Sequence, residues 1–185
     1  MLMEMAKEKL QKVFDAMKGD FSYTNRMQAP RILKVVVSTG TGKIQDKQKI
    51  ALIQDRLARI TGQKPAPRGA KQSIATFKLR EGDIIGYQVT LRGERMFDFL
   101  DRLIHIAIPS TRDFRGLKIS AIDEMGNYTI GIPEHTIFPE TADEDIKDVF
   151  GFAITIVMST KSKDEAEALL RHIGLPLQKK ETETE

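Results

Sequence analysis

The sequence predicts an α+β protein: an antiparallel sheet with helices on one face, containing a ferredoxin-like βαββαβ unit, plus a projecting basic hairpin loop. Two observations predict it. Residues 84–117, IIGYQVTLRGERMFDFLDRLIHIAIPSTRDFRGL, read as strand, turn, helix and basic loop without a break. The chain as a whole switches between a period of two and a helical period in the order α β α β β α β β β α.

The first element is a helix over residues 4–17, where Ala6, Leu10, Val13 and Met17 share a face and Gly19 and Asp20 supply the stop. A loop through Phe21, Tyr23 and Asn25 leads to Pro30. Residues 32–38 then alternate, Leu33, Val35 and Val37 against Lys34, Val36 and Ser38, which predicts a strand with Lys34 and Ser38 on its polar side. Thr39-Gly40-Thr41-Gly42-Lys43 reads as a glycine turn into the next helix. A phosphate loop of the Walker type needs four residues between its glycines and Ser or Thr after the lysine, whereas here the glycines are two apart and Ile44 follows Lys43. The second helix, over 47–60, is capped by Asp46, buries Ile50, Ile53, Leu57 and Ile60, and stops at Gly62.

Residues 63–69, QKPAPRG, cannot continue that helix because of their prolines. Residues 72–80 alternate again, Ser73, Ala75, Phe77 and Leu79 against Ile74, Thr76, Lys78 and Arg80, and the Glu81-Gly82-Asp83 turn pairs them in a hairpin with the strand at 85–92. That central strand sets Ile85, Tyr87, Val89 and Leu91 against Gly86, Gln88, Thr90 and Arg92. After Gly93 the helix buries Met96, Phe99, Leu100, Leu103, Ile106 and Ala107 and ends before Pro109. Arg112-Asp113-Phe114-Arg115-Gly116 is a basic loop around one aromatic. Strands follow over 117–122 and 128–132, joined through Gly126-Asn127, and 133–139 is irregular. A capping box from Thr141 to Glu144 opens a short acidic helix. A strong strand covers 152–159, and a second box, Ser162 to Glu165, opens a helix that buries Ala166, Leu169, Leu170 and Ile173 and ends at Gly174.

At 185 residues and 41% hydrophobic composition, the chain can bury a core of its own, predicted as one domain over 1–177 with a disordered charged tail over 178–185. The absence of cysteine excludes disulfides, thiolate catalysis and Cys-ligated metals. The apolar runs are far shorter than a membrane span and the first residues carry an acid where a signal peptide would be apolar, so the reading is a cytoplasmic protein without a membrane partner.

Charge is segregated although the formal net charge is only +3. Between residues 64 and 80 lie five bases, Lys64, Arg68, Lys71, Lys78 and Arg80, and no acid; between 134 and 148 lie six acids against Lys147 alone. A positive end suited to polyanion and an acidic end follow from this. Both helices of a βαββαβ unit cover one sheet face, so the other is left to display Lys34, Ser38, Gln88, Thr90 and Arg92. These are hydrogen-bonding and cationic groups suited to phosphates, sugars and unpaired bases, and without an aromatic pair the contact is one of backbone and shape.

Catalysis finds little support. His105, His135 and His172 are far apart and in no metal-binding pairing, and solvation or capping accounts for them. Asp98 and Asp101 share a helix face with Arg95 and Arg102, which fits an ion-pair ladder. No Ser lies in a GxSxG elbow. The reading is a protein with no cofactor, no metal, no catalytic residue and no small-molecule substrate.

Several segments carry a resemblance: MQAPRILKVVVSTGTG (27–42), ITGQKP (60–65), KQSIATFKLREGDIIGYQVTLRGERM (71–96), DRLIHIAIPSTRDFRGL (101–117), GNYTIGIPEHTIFPE (126–140) and ITIVMSTKSKDEAEALL (154–170). In this order and spacing they resemble the bacterial ribosomal protein L-five family over nearly the whole chain. The resemblance implies a structural protein of the large ribosomal subunit, located on the ribosome, that binds 5S rRNA and attaches it to the large-subunit rRNA in the central protuberance. It also implies contact with the peptidyl-site tRNA elbow and a bridge to a ribosomal protein of the small-subunit head. The family's 5S-contacting residues fall on Lys34, Ser38, Gln63, Thr90 and Arg92, with Ser38 standing where the family commonly has Asn. Its tRNA-approaching loop falls on the arm with Arg68, Lys71, Gln72, Ser73, Lys78 and Arg80. Its bridge or large-rRNA contacts fall near Arg112, Arg115, Glu134 and His135.

Overall fold

The structure, a computed structural model, describes residues 5–44, 46–77, 79–112, 114–141, 149–160 and 162–178. Its sheet has five strands, β1 (Ile32–Gly40), β2 (Ala66–Gly69), β3 (Ile84–Leu91), β4 (Tyr128–Ile132) and β5 (Phe152–Met158), in the order β2-β3-β1-β5-β4. The sheet is antiparallel and the fold is the expected α+β class. Among the described residues five α-helices accompany it, α1 (Ala6–Gln11), α2 (Val13–Phe21), α3 (Lys47–Thr61), α4 (Glu94–Arg102) and α5 (Lys163–Ile173). The chain divides into two compact units, the first comprising Met1–Val35, Arg92–Ile130 and Thr155–Glu185, the second Val36–Leu91 and Gly131–Ile154.

In the first unit α1 packs on α2, α4 and α5, and α2 packs on α5. The predicted single helix is two, because Lys12 separates α1 from α2; the second runs past Gly19 and ends where Ser22 takes a left-handed backbone at φ +53°. Asp101 does not build an ion-pair ladder on its own helix alone: its Oδ1 accepts the Ala6 N–H at 2.8 Å and caps the start of α1. α4 passes into a π-helical turn over Leu103–Ala107. The wider turn inserts a residue into the 3.6 period, so Ile104 is buried and Ile106, predicted as core, is 43% exposed. α5 begins at Ser162, whose Oγ accepts from the Glu165 N–H at 3.2 Å, and ends at Gly174 with φ +104°. The Glu165 carboxylate is buried and accepts the Tyr23 phenol.

The strand predicted over 117–122 is absent. Ile119–Ala121 form a 3-10 turn, and only single bridges, Leu117 to Leu177 and Ile122 to Tyr128, flank it. Gly126 explains how β4 begins: its φ is +74°, and a Cβ there would collide with Thr160 Oγ1.

In the second unit α3 covers β3 through Ile53, Leu57 and Ile60, all fully buried, as the helical period predicts. Asp46 Oδ1 accepts from the Gln48 N–H at 2.8 Å at its start, and Gly62 turns at φ +67° at its end. The predicted hairpin over 72–80 is not formed. The antiparallel partner of β3 is β2, the APRG end of the QKPAPRG stretch, with Pro67 opposite Tyr87 and Arg68 opposite Gly86. Proline is tolerated there because β2 is the edge of the sheet. Residues 72–80 do not pack their apolar side chains: Phe77 is 67% and Ile74 43% exposed, with a 3-10 turn over Ala75–Phe77. They form a loop closed by Ala70 N–H to Asp83 O (2.8 Å) and Gly82 N–H to Ala70 O (3.0 Å).

Two further expectations concern the 133–144 stretch. His135 is not solvated but 0% exposed, stacked on Phe150 at 4.3 Å with its Nδ1 accepting the Phe150 N–H at 3.3 Å. The acidic helix expected after Thr141 lies outside the described residues, as do the tail residues beyond Gln178.

Candidate nucleic-acid interface

The alternation in β1 and β3 decides which side chains are shown. In the second unit Val37, Tyr87, Val89 and Leu91 are buried, while Val36, Ser38, Gln88 and Thr90 on the opposite side are half-buried. The two strands are joined where Thr41 N–H donates to Ile85 O at 2.8 Å. They approach so closely on the open side that a Cβ on Gly86 would lie 2.6 Å from Thr39 O. The result is a face made of short side chains.

Gln63 reaches this face from the end of α3. Thr61 Oγ1 donates to Leu57 O at 2.6 Å and lies 3.1 Å from Gln63 O, which holds the chain as it leaves the helix. Gln63 Nε2 then donates to Thr90 O at 3.4 Å. Ser38, Gln63 and Thr90, expected as 5S contacts, therefore belong to one unit, with the amide of Gln63 fixed at the Thr90 backbone. Lys34 and Arg92 belong to the first unit, Lys34 half-buried on the same side of β1 as Ser38 by strand alternation, and Arg92 exposed directly after β3.

Arg68 moves from the loop to the sheet. It lies on β2 across from Gly86, and its Nε donates to Gln88 Oε1 at 2.6 Å. A groove over this part of the sheet is lined by Ser38, Gly40, Arg68, Gly86, Gln88 and Gly151 among others, and none of its lining residues is acidic. The remaining loop residues Lys71, Gln72, Ser73 and Arg80 are exposed, with Ser73 Oγ accepting from the Glu81 N–H at 2.9 Å; Lys78 lies outside the described residues. Arg112, Arg115 and Glu134 are exposed. His135, enclosed against Phe150, offers no surface, so it is withdrawn from that group.

Two features escape the sequence reading. Alternation assigns Phe77 to a strand, yet it stands exposed in a loop with bases on both sides, at Lys71 and Arg80. Gln88 is visible as a polar strand residue, but its bond to Arg68 depends on strand pairing that the sequence does not display. Groups with displaced pKa values serve structure in the first unit. Burial and then the Glu165 hydrogen bond raise Tyr23, burial pushes Tyr128 up to about 12, and the Asn127 side chain holds Asp123 low. Among the described residues no group of three or more His, Cys, Asp or Glu is arranged to hold a metal, and no helix is long and apolar enough to cross a membrane.

A one-sided sheet with hydrogen-bonding and cationic groups on its open side is the layout of RNA-binding sheet proteins. The family model described as "Ribosomal protein L5" matches residues 25–80, and the model describing the C-terminus of the same ribosomal family matches 84–177. Similar curated proteins are named "Large ribosomal subunit protein uL5". That of Mycoplasma pneumoniae is 49% identical over 86% of this chain and 89% of its own length. That of Ureaplasma urealyticum is 46% identical over 91% and 92%, and that of Desulfotalea psychrophila 48% identical over 89% and 92%. The chain belongs to the ribosomal protein L5 family, whose members are structural, non-enzymatic proteins of the large ribosomal subunit.

Proposed function

We propose that, within the large subunit, this chain binds 5S rRNA through Ser38, Gln63 and Thr90 of the second unit and Lys34 and Arg92 of the first. The observation that carries this reading is the open side of β1 and β3: Ser38 and Thr90 are half-buried on it, and Gln63 is tied to the Thr90 backbone at 3.4 Å. Such short donors and acceptors read sugar, phosphate and base edges at close approach, while Lys34 and Arg92 supply charge to phosphates. Ser38 offers a hydroxyl where the family commonly has an amide, so it makes a shorter and simpler contact.

Binding 5S rRNA in this way attaches it to the large-subunit rRNA in the central protuberance. The exposed, cationic loop of Lys71, Gln72, Ser73 and Arg80 suits the peptidyl-site tRNA, because contact with phosphates is indifferent to tRNA sequence. Arg112, Arg115 and Glu134 suit the bridge to a small-subunit head protein or the large rRNA. The test is a titration against 5S rRNA and a structured RNA of equal length at about 0.2 M salt, where non-specific phosphate binding is weak. A hundredfold preference for 5S rRNA is expected; equal weak binding would contradict the reading.

A further inference from the structure

We propose that Arg68, oriented by Gln88, is a phosphate-binding residue for RNA lying on the open side of β2, β3 and β1, a role that rests on the RNA-binding reading of this sheet and extends it to the sheet edge. The pairing of β2 with β3 sets Arg68 across from Gly86, where the missing side chain leaves the guanidinium room to lie over the strand. Gly86 is itself compelled to be glycine, since a Cβ there would lie 2.6 Å from Thr39 O. Nε donates to Gln88 Oε1 at 2.6 Å. Among the described residues the two terminal nitrogens of Arg68 have no partner, so the planar fork keeps its outer donors for a ligand.

A guanidinium already held at Nε loses less side-chain entropy when it binds, and its two terminal nitrogens match two oxygens of a phosphate or carboxylate. The surroundings favour phosphate. The groove beside Arg68 is lined by Ser38, Gly40, Gly86 and Gly151 without an acid, so a nucleic-acid backbone can come close to the sheet with Ser38 as a second donor.

The test uses the full chain and 5S rRNA, with Kd measured across a salt series for wild type, Arg68→Ala, Arg68→Lys and Gln88→Ala. Arg68→Ala should weaken binding about tenfold and reduce the slope of log K against log salt by about 0.7–0.9, the value for one phosphate contact. Gln88→Ala keeps the charge, so the slope stays while affinity falls about threefold; Arg68→Lys restores the slope but not the full affinity. A merely structural role would move thermal unfolding, not the slope. Unchanged affinity and slope in Arg68→Ala, with wild type preferring 5S rRNA, overturns this proposal and leaves the 5S reading standing. Loss of slope in Arg68→Ala with no 5S preference in wild type overturns the 5S reading and keeps the phosphate role. No binding of any RNA by wild type, or an Arg68 effect confined to an acidic peptide, overturns it.

Discussion

Asp101 Oδ1 accepts the backbone N–H of Ala6 at 2.8 Å, so a carboxylate at the end of α4 caps a helix that begins 95 residues earlier. α1 is only six residues long, and Met5, at its N-cap position, offers no side-chain cap. A helix this short is marginal on its own, and its order depends on such tertiary bonds. Asp101→Ala should cost about 1 kcal/mol, in the range of a lost N-cap, and should speed amide exchange in α1 before the rest of the first unit. Exchange in α1 equal to wild type would show that the cap is dispensable.

The Tyr23 phenol donates to the Glu165 carboxylate, and both residues are more than nine-tenths buried. Tyr23→Phe removes the donor and should destabilise by about 1–3 kcal/mol, the cost of leaving a buried polar group short of a partner. The phenol's folded pKa is raised, by burial first and then by Glu165, so its contribution is full below the unfolded value of about 10 and is lost as pH rises above it. Tyr128, raised to about 12 by burial, acts in the same direction. Urea unfolding should therefore show stability falling as pH rises from about 10 towards 12, less steeply in Tyr23→Phe.

Gly86→Ala should destabilise by about 1–3 kcal/mol, because its methyl group would meet Thr39 O at 2.6 Å and force β1 from β3. The same variant should weaken RNA binding, since the displaced strands carry Ser38 and Thr90. Gly131, on β4, has nothing within 4 Å of where a methyl group would sit and serves as a control: Gly131→Ala should melt within about a degree or two of wild type.

What is legible in the sequence is local. α3 and α5 are readable because Asp46 with Gly62, and Ser162 with Gly174, are start and stop signals beside the helices they bound. Ser38 and Thr90 are readable because a strand's alternation fixes their side. β2 is not, since Pro65 before it and Pro67 within it look like breakers and only its edge position, a property of the whole sheet, permits Pro67. Residues 72–80 alternate as a strand does but leave Ile74 and Phe77 exposed, because their partner strand is taken by β2. The Ala6–Asp101 bond joins residues 95 apart, and the burial of His135 depends on Phe150, so no short window of sequence contains either relationship. Gln63 as a site residue comes from the resemblance; its bond to the Thr90 backbone supplies a physical reason for its position.

The central claim, that the open side of the sheet holds 5S rRNA, is tested most directly by Thr90→Ala combined with Arg92→Ala. Thr90 is half-buried and Arg92 exposed, and both point away from the core, so the unfolding temperature should stay within a few degrees of wild type. Affinity for 5S rRNA in a filter-binding titration should fall by at least about 2 kcal/mol, the loss of one hydrogen bond and one charged contact. Wild-type affinity in the double variant would contradict the account.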